Sequence, residues 1–161
     1  GLLAGCGNVR EALEMATALV QRFEGCHRRM SDGRIAPYLC PAGYPTQGWG
    51  IVVPSMDVPP ITQAMADAVL ARELPRYLAD ALKASPGLAA HPRRLAAITS
   101  FVFNLGAARY RASTLRRRVD AADWTGACTE LLKWTRGGGR VLPGLVKRRE
   151  AEALLLQVQR R

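Results

Sequence analysis

The chain has 161 residues, of which 48% are hydrophobic and 6% aromatic, and 23 Lys and Arg outnumber 13 Asp and Glu to give a net charge of +10. This composition excludes an intrinsically disordered chain, and the length suffices for one domain, or two small lobes, without a stabilising disulfide or metal. No apolar run is long enough for a transmembrane helix, and the positive charge indicates an anionic partner, whether nucleic acid, a lipid surface or a cell-wall polymer.

Residues 1–8 are predicted to be a leader remnant or a linker ahead of the folded domain. Within them, Leu2-Leu3-Ala4-Gly5-Cys6 resembles a bacterial lipobox, whose cysteine becomes lipidated. Because the chain starts at Gly1 without Met, we expect an export or anchor segment upstream, through which the protein could be attached to a membrane.

The first helix is predicted over Asn8–Glu24. Asn8 is a typical N-cap residue, and Glu11 stands where a capping box places an acidic residue. Glu24-Gly25 ends the helix, because glycine readily adopts the backbone conformation that follows a last helical turn. Apolar residues recur every three or four positions and mark one buried face: Val9, Leu13, Ala16, Val20 and Phe23.

A different pattern follows from about Arg34 to Val53, where prolines and glycines interrupt short apolar stretches. This pattern excludes a helix and favours a small antiparallel hairpin or meander. Such a sheet is only marginally stable by itself, so we expect it to pack on helices.

The rest of the chain is predicted to be helical. Thr62 is a candidate helix cap, and Pro75 should kink or divide the helix that follows it. Pro92 suits the first position of the next helix, which has apolar residues on all sides, is therefore the central buried helix, and stops at Gly106. Three shorter helices are predicted near 113–119, 123–134 and 144–157, with a flexible break at Gly137-Gly138-Gly139.

These elements predict an α+β, mostly α fold. An N-terminal helix and a small antiparallel β-sheet form one lobe, residues 9–60, which packs on a larger helical lobe, residues 61–161. Together the lobes would make one domain over residues 9–161, with a cleft between them as the natural place for a substrate.

Three sequence blocks carry a family resemblance. They are Glu24-Gly25 with Cys40, five further residues, Thr46 and Gly48-Trp49-Gly50; then Ser100–Gly106; and then Trp134 with Gly137–Leu145 and Lys147–Glu150. In this order the blocks resemble the phage lysozymes of glycoside hydrolase family 24. The resemblance implies a lysozyme-like fold and a muramidase that cuts the β-1,4 bond between N-acetylmuramic acid and N-acetylglucosamine, with neither a cofactor nor a metal.

The resemblance also implies the catalytic residues. Glu24 would be the acid that protonates the leaving oxygen, since a carboxylate at a helix end beneath a small sheet is partly desolvated. Thr46 could hold the attacking water by its hydroxyl. Cys40, where many members carry an acid, could act as thiolate base, electrostatic stabiliser or nucleophile, with activity rising as the pH approaches the pKa of its thiol. Asp32 lies nearer the usual distance from Glu24 and is the rival for this second role, because residues 26–36 contain an insertion.

Two further residues are candidates for substrate binding by the same resemblance. Asn104, at the end of the central helix, could hydrogen-bond an acetamido group or a peptide stem, or could simply cap the helix. A basic residue of the last helix, Arg148 or Lys147, is expected to orient the catalytic acid and to belong to the substrate site.

Four cysteines have a spacing that matches no zinc or disulfide framework: Cys6, Cys26, Cys40 and Cys128. A disulfide from Cys40 to one of the two cysteines before it would switch the enzyme off until the bond is reduced. The first alternative function is a cysteine peptidase or amidase that acts on wall peptides, with Cys40 as nucleophile. It requires a histidine base, and the chain offers His27 and His91.

The second alternative is a non-enzymatic basic module that binds nucleic acid or wall polymer, although no segment resembles a recognition helix or an RNA-binding sheet. On the lysozyme interpretation, the partner is the glycan strand of peptidoglycan and not nucleic acid. The protein is then expected to act as a monomer, in the periplasm or cell wall of the host that is lysed.

Overall fold

The computed structural model describes residues 2–157, and the side chains of residues 5–157. The helices are α1 (Leu2–Glu24), α2 (Gln63–Ala84), α3 (Pro92–Leu105), α4 (Ala107–Ala112), α5 (Thr114–Asp120), α6 (Trp124–Leu131) and α7 (Pro143–Gln157), with a 3-10 helix at Pro86–Ala90. The strands are β1 (Tyr38–Leu39), β2 (Pro45–Gln47), β3 (Ile51–Val52), β4 (Arg136–Gly137) and β5 (Arg140–Val141). This mostly helical fold with a small antiparallel sheet confirms the predicted fold class. Within residues 2–157, no helix is both long and apolar enough to cross a membrane.

The chain divides into two compact units, one formed by Val20–Glu73 and the other by Gly1–Leu19 with Leu74–Arg161. The smaller unit contains β1, β2 and β3, and the larger unit contains α3 to α7 with the β4–β5 pair. Helices α1 and α2 each contribute one end to each unit.

The smaller unit is built around its three-stranded sheet. The strand order is β1-β2-β3, all antiparallel, with Tyr38 opposite Thr46 and Thr46 opposite Val52. This arrangement confirms the predicted meander. Ahead of the sheet, Ile35 is fully buried and exchanges two backbone hydrogen bonds with Ile61, at 2.7 and 2.9 Å, which anchor the loop that leads into β1.

Helix α1 begins at Leu2 and not at Asn8, so the predicted cap is wrong. No proline precedes Asn8, and the leucines and alanine of that stretch favour a helix. Asn8 therefore lies inside the helix, where its Nδ2 donates to the carbonyl oxygen of Ala89 at 3.1 Å. The predicted end is confirmed, since the last helical residue is Glu24 and Gly25 follows with a φ of 61°.

Helix α2 starts as predicted, because the Oγ1 of Thr62 accepts a hydrogen bond from the backbone N–H of Met65 at 3.1 Å. It then continues through Pro75 without being divided. Proline removes one backbone hydrogen bond from the helix. Leu70 and Leu78 are buried on either side of it, and burial of such an apolar face stabilises a helix more than local propensity does.

In the larger unit, α3 is the central helix, as predicted. Its residues from Arg94 to Val102 are all buried, and it packs along α7. It begins at Pro92 and ends at Gly106, which has a φ of 97°. The short helix α4 was not predicted. It positions the fully buried ring of Tyr110, whose hydroxyl lies 2.7 Å from the Oγ of Ser85.

Polar N-caps begin the next two helices, close to the predicted positions. The side chains of Ser113 and Asp123 each accept a hydrogen bond of 3.0 Å from a backbone N–H in the first turn of α5 and α6, respectively. Helix α6 ends at Leu131, before the predicted end, and α7 begins at Pro143, close to the predicted start.

The predicted break between helices at Gly137-Gly138-Gly139 contains a β-hairpin that was not predicted, and its flexibility stays a prediction. Strands β4 and β5 pair antiparallel in a hairpin, with Arg136 opposite Val141. Gly138 and Gly139 form its turn with φ values of 60° and 81°. A two-residue hairpin turn with positive φ at both positions matches the twist of the strands and favours glycine, so these glycines define the turn.

Candidate active site

Glu24, the predicted catalytic acid, lies directly against the backbone of Gly50. The carboxylate is half-buried at the last residue of α1, and Gly25 then turns the chain with a positive φ. A Cβ atom added at Gly50 would lie 2.6 Å from the Oε2 and 2.9 Å from the Cδ of Glu24. Gly50 also has a φ of 84°, which disfavours any side chain. The absence of a side chain at position 50 therefore leaves the space that the Glu24 carboxylate occupies.

On the role that the resemblance implies for Glu24, we expect Gly50→Ala to lower the activity by about 100-fold, because misplacing a catalytic group by about 1 Å costs this much. The added methyl group would have to displace the Glu24 carboxylate. Gly33→Ala is the matched control, since Gly33 has a φ of 86° and open space around its Cα. It shares the backbone strain without the clash. Equal loss of activity in the two variants would attribute the effect to strain alone.

Tyr38 connects the predicted catalytic residues. Its pairing with Thr46 across β1 and β2 places the two side chains side by side on the sheet. Burial, followed by the negative charges of Glu24, Cys40 and Cys26, raises the pKa of Tyr38 to about 12. Tyr38 therefore lies beside Thr46 on the sheet and within the electrostatic influence of Glu24 and Cys40. Its phenol stays protonated at neutral pH and can donate a hydrogen bond.

Cys40 opens a tight turn whose backbone amides surround its sulfur. The turn is closed by the Gly43 N–H, which donates to the Cys40 carbonyl at 2.8 Å. The backbone N–H of Tyr44 lowers the pKa of the Cys40 thiol most; burial opposes it, and the amides of Ala42 and Gly43 and the hydroxyl of Thr46 lower it further. Hydrogen bonds to a charged group favour that charged form. The turn therefore favours the thiolate form of Cys40.

Thr46 is buried in the central strand, with its hydroxyl directed at the same turn. Its Oγ1 donates to the carbonyl oxygen of Tyr44 at 2.9 Å, and it also lies within hydrogen-bond reach of the Cys40 sulfur. A hydroxyl has one proton, so it donates to one of these acceptors at a time, while its lone pairs can accept from a water molecule.

Asp32, the rival for the second catalytic role, lies at the exposed tip of the loop that precedes the sheet. Its carboxylate accepts hydrogen bonds from the backbone N–H of Arg34 at 3.0 Å and from its Nε at 2.7 Å. The backbone hydrogen bond, and then the guanidinium, lower the pKa of Asp32. Asp32 therefore has a local partner and, unlike Cys40, does not contribute to the charges around Tyr38.

Arg148, a predicted substrate-binding residue, lies in the interface between α3 and α7, and only 3% of its side chain is exposed. Its Nη2 donates to the backbone oxygen of Ser100 at 3.2 Å, and its Nε lies 3.5 Å from the Oε2 of Glu152. Ser100 in turn donates from its Oγ to the same carboxylate at 2.6 Å. Its role toward substrate stays a prediction, and the observed contacts join two helices.

Asn104, the other predicted substrate-binding residue, has a partner that the sequence analysis missed. The Nη2 of Arg149 donates to its Oδ1 at 2.6 Å. Arg149 is fully buried, with its Nε 2.9 Å from the Oε1 of Glu152 and its guanidinium 5.0 Å from the ring centre of Phe101. Burial lowers the pKa of Arg149 to about 10, so it remains charged at neutral pH. Because a guanidinium only donates, the Asn104 oxygen must face it.

The thiols do not form the site that a cysteine peptidase needs. All four cysteines are free, and the groups that lower the pKa of Cys40 are backbone amides and a hydroxyl, with no histidine among them. His27 packs edge-on against Tyr38 with ring centres 5.2 Å apart, and His91 packs in the same manner against Trp124 at 5.7 Å. Among the described residues, no three His, Cys, Asp or Glu side chains are grouped to hold a metal ion.

Comparisons with known proteins identify the family of this chain. The family model described as "Phage lysozyme" matches residues 21–152. An endolysin of Acyrthosiphon pisum secondary endosymbiont phage 1 is 32% identical over 148 residues, covering 89% of this chain and 96% of the relative. A SAR-endolysin of Escherichia phage Mu is 30% identical over 125 residues, covering 76% of this chain and 71% of the relative.

Two solved structures share the fold. The muramidase domain of SpmX from Asticaccaulis excentricus superposes with a TM-score of 0.73 at 24% identity, covering 89% of this chain and 95% of that domain. The active form of the P1 phage endolysin Lyz gives a TM-score of 0.72 at 23% identity, covering 89% of this chain and 83% of that one. With the family model matching most of its length, this chain belongs to the phage lysozyme family.

Proposed function

We propose that the protein is an endolysin that hydrolyses the β-1,4 bond between N-acetylmuramic acid and N-acetylglucosamine in bacterial peptidoglycan. As a phage lysozyme, it is a glycoside hydrolase that degrades the cell wall. The observation that carries the finer proposal is the position of Glu24 against Gly50, and the hydrogen bond between Thr46 and Cys40 supports it. We propose that residues 9–161 form the lysozyme domain.

In the proposed reaction, Glu24 gives its proton to the oxygen that leaves from the anomeric carbon of the muramic acid. A water molecule held by the Thr46 hydroxyl forms the new bond to that carbon, and its proton passes to the Cys40 thiolate. If Cys40 instead attacked the carbon itself, a covalent glycosyl-enzyme would form and the product would retain its configuration. The anomeric configuration of the first product distinguishes these two roles of Cys40.

We propose that Asn104 contacts the substrate and that Arg148 supports this contact from within. Since the Asn104 oxygen is bound to Arg149, its Nδ2 group is the one left to meet a ligand. That group donates hydrogen bonds, so it suits the carbonyl oxygen of an acetamido group. Arg148 binds Ser100, one helical turn before Asn104 on α3, and thereby holds this end of the helix against α7.

The bond that is cut tests the proposed function. Purified peptidoglycan is incubated with the protein, and new reducing ends and new amino groups are both counted. A muramidase produces reducing ends, whereas a peptidase or amidase produces amino groups. Amino groups without reducing ends would support the cysteine peptidase alternative. Unaltered peptidoglycan would support the non-enzymatic basic binding module.

The pH dependence of activity tests the role of Cys40. The hydrogen bonds of the turn lower the pKa of its thiol, so the thiolate fraction, and with it the activity, should rise as the pH increases through that lowered value. An aspartate has an ordinary pKa of about 4 and is already ionised at neutral pH, so we expect Cys40→Asp to lose this rise. Cys40→Ser should lose at least about 100-fold in rate, and Cys6→Ser, at an exposed thiol, serves as the control. If the activity of Cys40→Asp still rose with pH, the rise would be due to the titration of another group.

The setting of the reaction is part of the same proposal. The cell wall of the host that is lysed is the site of action, reached from the periplasm by a monomer that requires no cofactor and binds no nucleic acid. Light scattering on the purified protein measures its mass in solution. Mass spectrometry of the protein recovered from cells shows whether Cys6 carries a lipid that would anchor it.

A further inference from the structure

An open pocket of about 440 Å³ lies in the smaller unit, where both residues of β1 belong to its lining. It is lined by His27, Arg28, Tyr38, Leu39 and Met56. Tyr38 pairs across the sheet with Thr46, and Leu39 directly precedes Cys40 in the chain. A ligand bound in the pocket would therefore lie next to the residues proposed to act on the glycosidic bond.

The lining of the pocket combines exposed apolar surface with one free cation. Leu39 is 58% exposed and Met56 is 41% exposed, so both present large apolar side chains to solvent. Of the three arginines in the loop before the sheet, Arg29 donates to Gln63 and Arg34 is paired with Asp32. The Arg28 guanidinium has no hydrogen bond or ion pair to any described residue. The lining thus suits a ligand with small apolar groups and a negative charge.

Arg28 has a strained backbone conformation that glycine would adopt without strain. Its φ is 61°, in the left-handed region that favours glycine or asparagine. The conformation is held by a hydrogen bond of 3.0 Å from the Ala36 N–H to the Arg28 carbonyl. A strained residue that points a charged side chain into a pocket is typical of a functional position.

The loop that carries Arg28 is fixed at both ends. On one side the His27 ring packs edge-on against Tyr38, at an interplanar angle of 76°. On the other side Ile35 is fully buried and bonded to Ile61. The cation is therefore presented from an anchored backbone, which lowers the entropy lost when a ligand binds.

We infer that this pocket binds the peptide stem that branches from the N-acetylmuramic acid of the substrate, with Arg28 paired to one of its carboxylates. This inference rests on the proposed function. The stem is attached to the same sugar whose glycosidic bond is cut, so a site beside Tyr38 lies within its reach. Guanidinium and carboxylate pair through two parallel hydrogen bonds, Leu39 and Met56 can contact methyl side chains, and the Tyr38 hydroxyl can donate to a peptide carbonyl.

The first test compares two substrates, peptidoglycan with intact stems and glycan strands from which the stems have been removed. We expect Arg28→Gln to raise KM about tenfold on the first substrate, with kcat unchanged, because it removes an interaction made equally in the ground state and the transition state. On the stripped glycan it should match the wild type. Arg34→Gln removes the same charge from the same loop outside the pocket and is the control. Equal effects of Arg28→Gln on both substrates would overturn the inference.

The second test separates the side chain from the backbone and does not depend on turnover. Arg28→Gly relieves the positive φ, so its Tm should equal or exceed that of the wild type, while its KM should rise as in Arg28→Gln. Binding of a soluble muramyl peptide to Glu24→Gln should weaken about tenfold when Arg28→Gln is added, and binding of an N-acetylglucosamine oligomer should not change. Unchanged muramyl peptide binding would overturn the inference, even if the wild type releases reducing ends. Absence of reducing ends would count against the proposed function alone.

Discussion

Glu24→Gln is expected to lower the rate of peptidoglycan cleavage by about 10²–10⁴-fold, the usual contribution of a general acid. Glutamine keeps the shape of the side chain, so it should still fit against Gly50 at the end of α1, but it has no acidic proton to give to the leaving oxygen. The measurement is the rate of appearance of reducing ends from purified peptidoglycan. A thermal melt of the variant should match the wild type.

Glu14→Gln is the matched control for this variant, because Glu14 is exposed on the same helix and loses the same charge. Its rate should stay close to that of the wild type. The double variant Glu24→Gln/Gly50→Ala should be hardly slower than Glu24→Gln, since residues that act as one unit have non-additive effects. A fully active Glu24→Gln would refute the assignment of the acid. Strictly additive effects in the double variant would show that Gly50 does not act through Glu24.

Glu152→Gln is expected to lower the free energy of unfolding by about 3–5 kcal/mol, because it removes one partner of a buried ion pair. The Glu152 carboxylate has no exposed surface and compensates Arg148 and Arg149, whose side chains are 3% and 0% exposed. It also accepts a hydrogen bond of 2.6 Å from the Oγ of Ser100. Without it, two buried guanidinium groups would lose the carboxylate that they share between α3 and α7. Urea denaturation measures the loss.

Glu150→Gln controls for this change, since Glu150 lies exposed on α7 and carries the same charge. We expect it to alter the free energy of unfolding by less than about 0.5 kcal/mol, as surface substitutions usually do. In a chain of this size the loss in Glu152→Gln corresponds to a Tm about 10 °C lower. If both variants unfolded at the same urea concentration, the buried network would not be a determinant of stability.

The local features of this protein could be predicted from its sequence. Thr62 and Pro92 mark helix starts that the structure confirms, and Gly106 marks a confirmed end. Each of these residues acts on backbone groups within about one turn of itself, so its effect does not depend on distant contacts. The same holds for Glu24 at the end of α1, where the residue that follows is glycine.

The features that were not predicted concern residues whose role depends on what lies opposite them. Asn8 has the chemistry of a cap, but its side chain reaches the carbonyl of Ala89, and α1 extends past it. Pro75 was expected to kink or divide α2; the helix is not divided, and apolar residues on both sides of Pro75 are buried. The glycines at 137–139 have the composition of a flexible break, and only the pairing of β4 with β5 shows them to be a hairpin turn.

The candidate site shows the same division. Glu24, Cys40 and Thr46 could be named as candidates from the sequence, because the blocks that contain them resemble those of a known family. Tyr38 stands inside the first of these blocks, but its burial and the charges that raise its pKa arise from the fold. The partner of Asn104 could not be predicted either, because Arg149 is 45 residues away. Helix ends and turns depend on neighbouring residues, so the sequence predicts them. Burial and long-range partners depend on residues far apart in the chain, so they are fixed only when the chain packs.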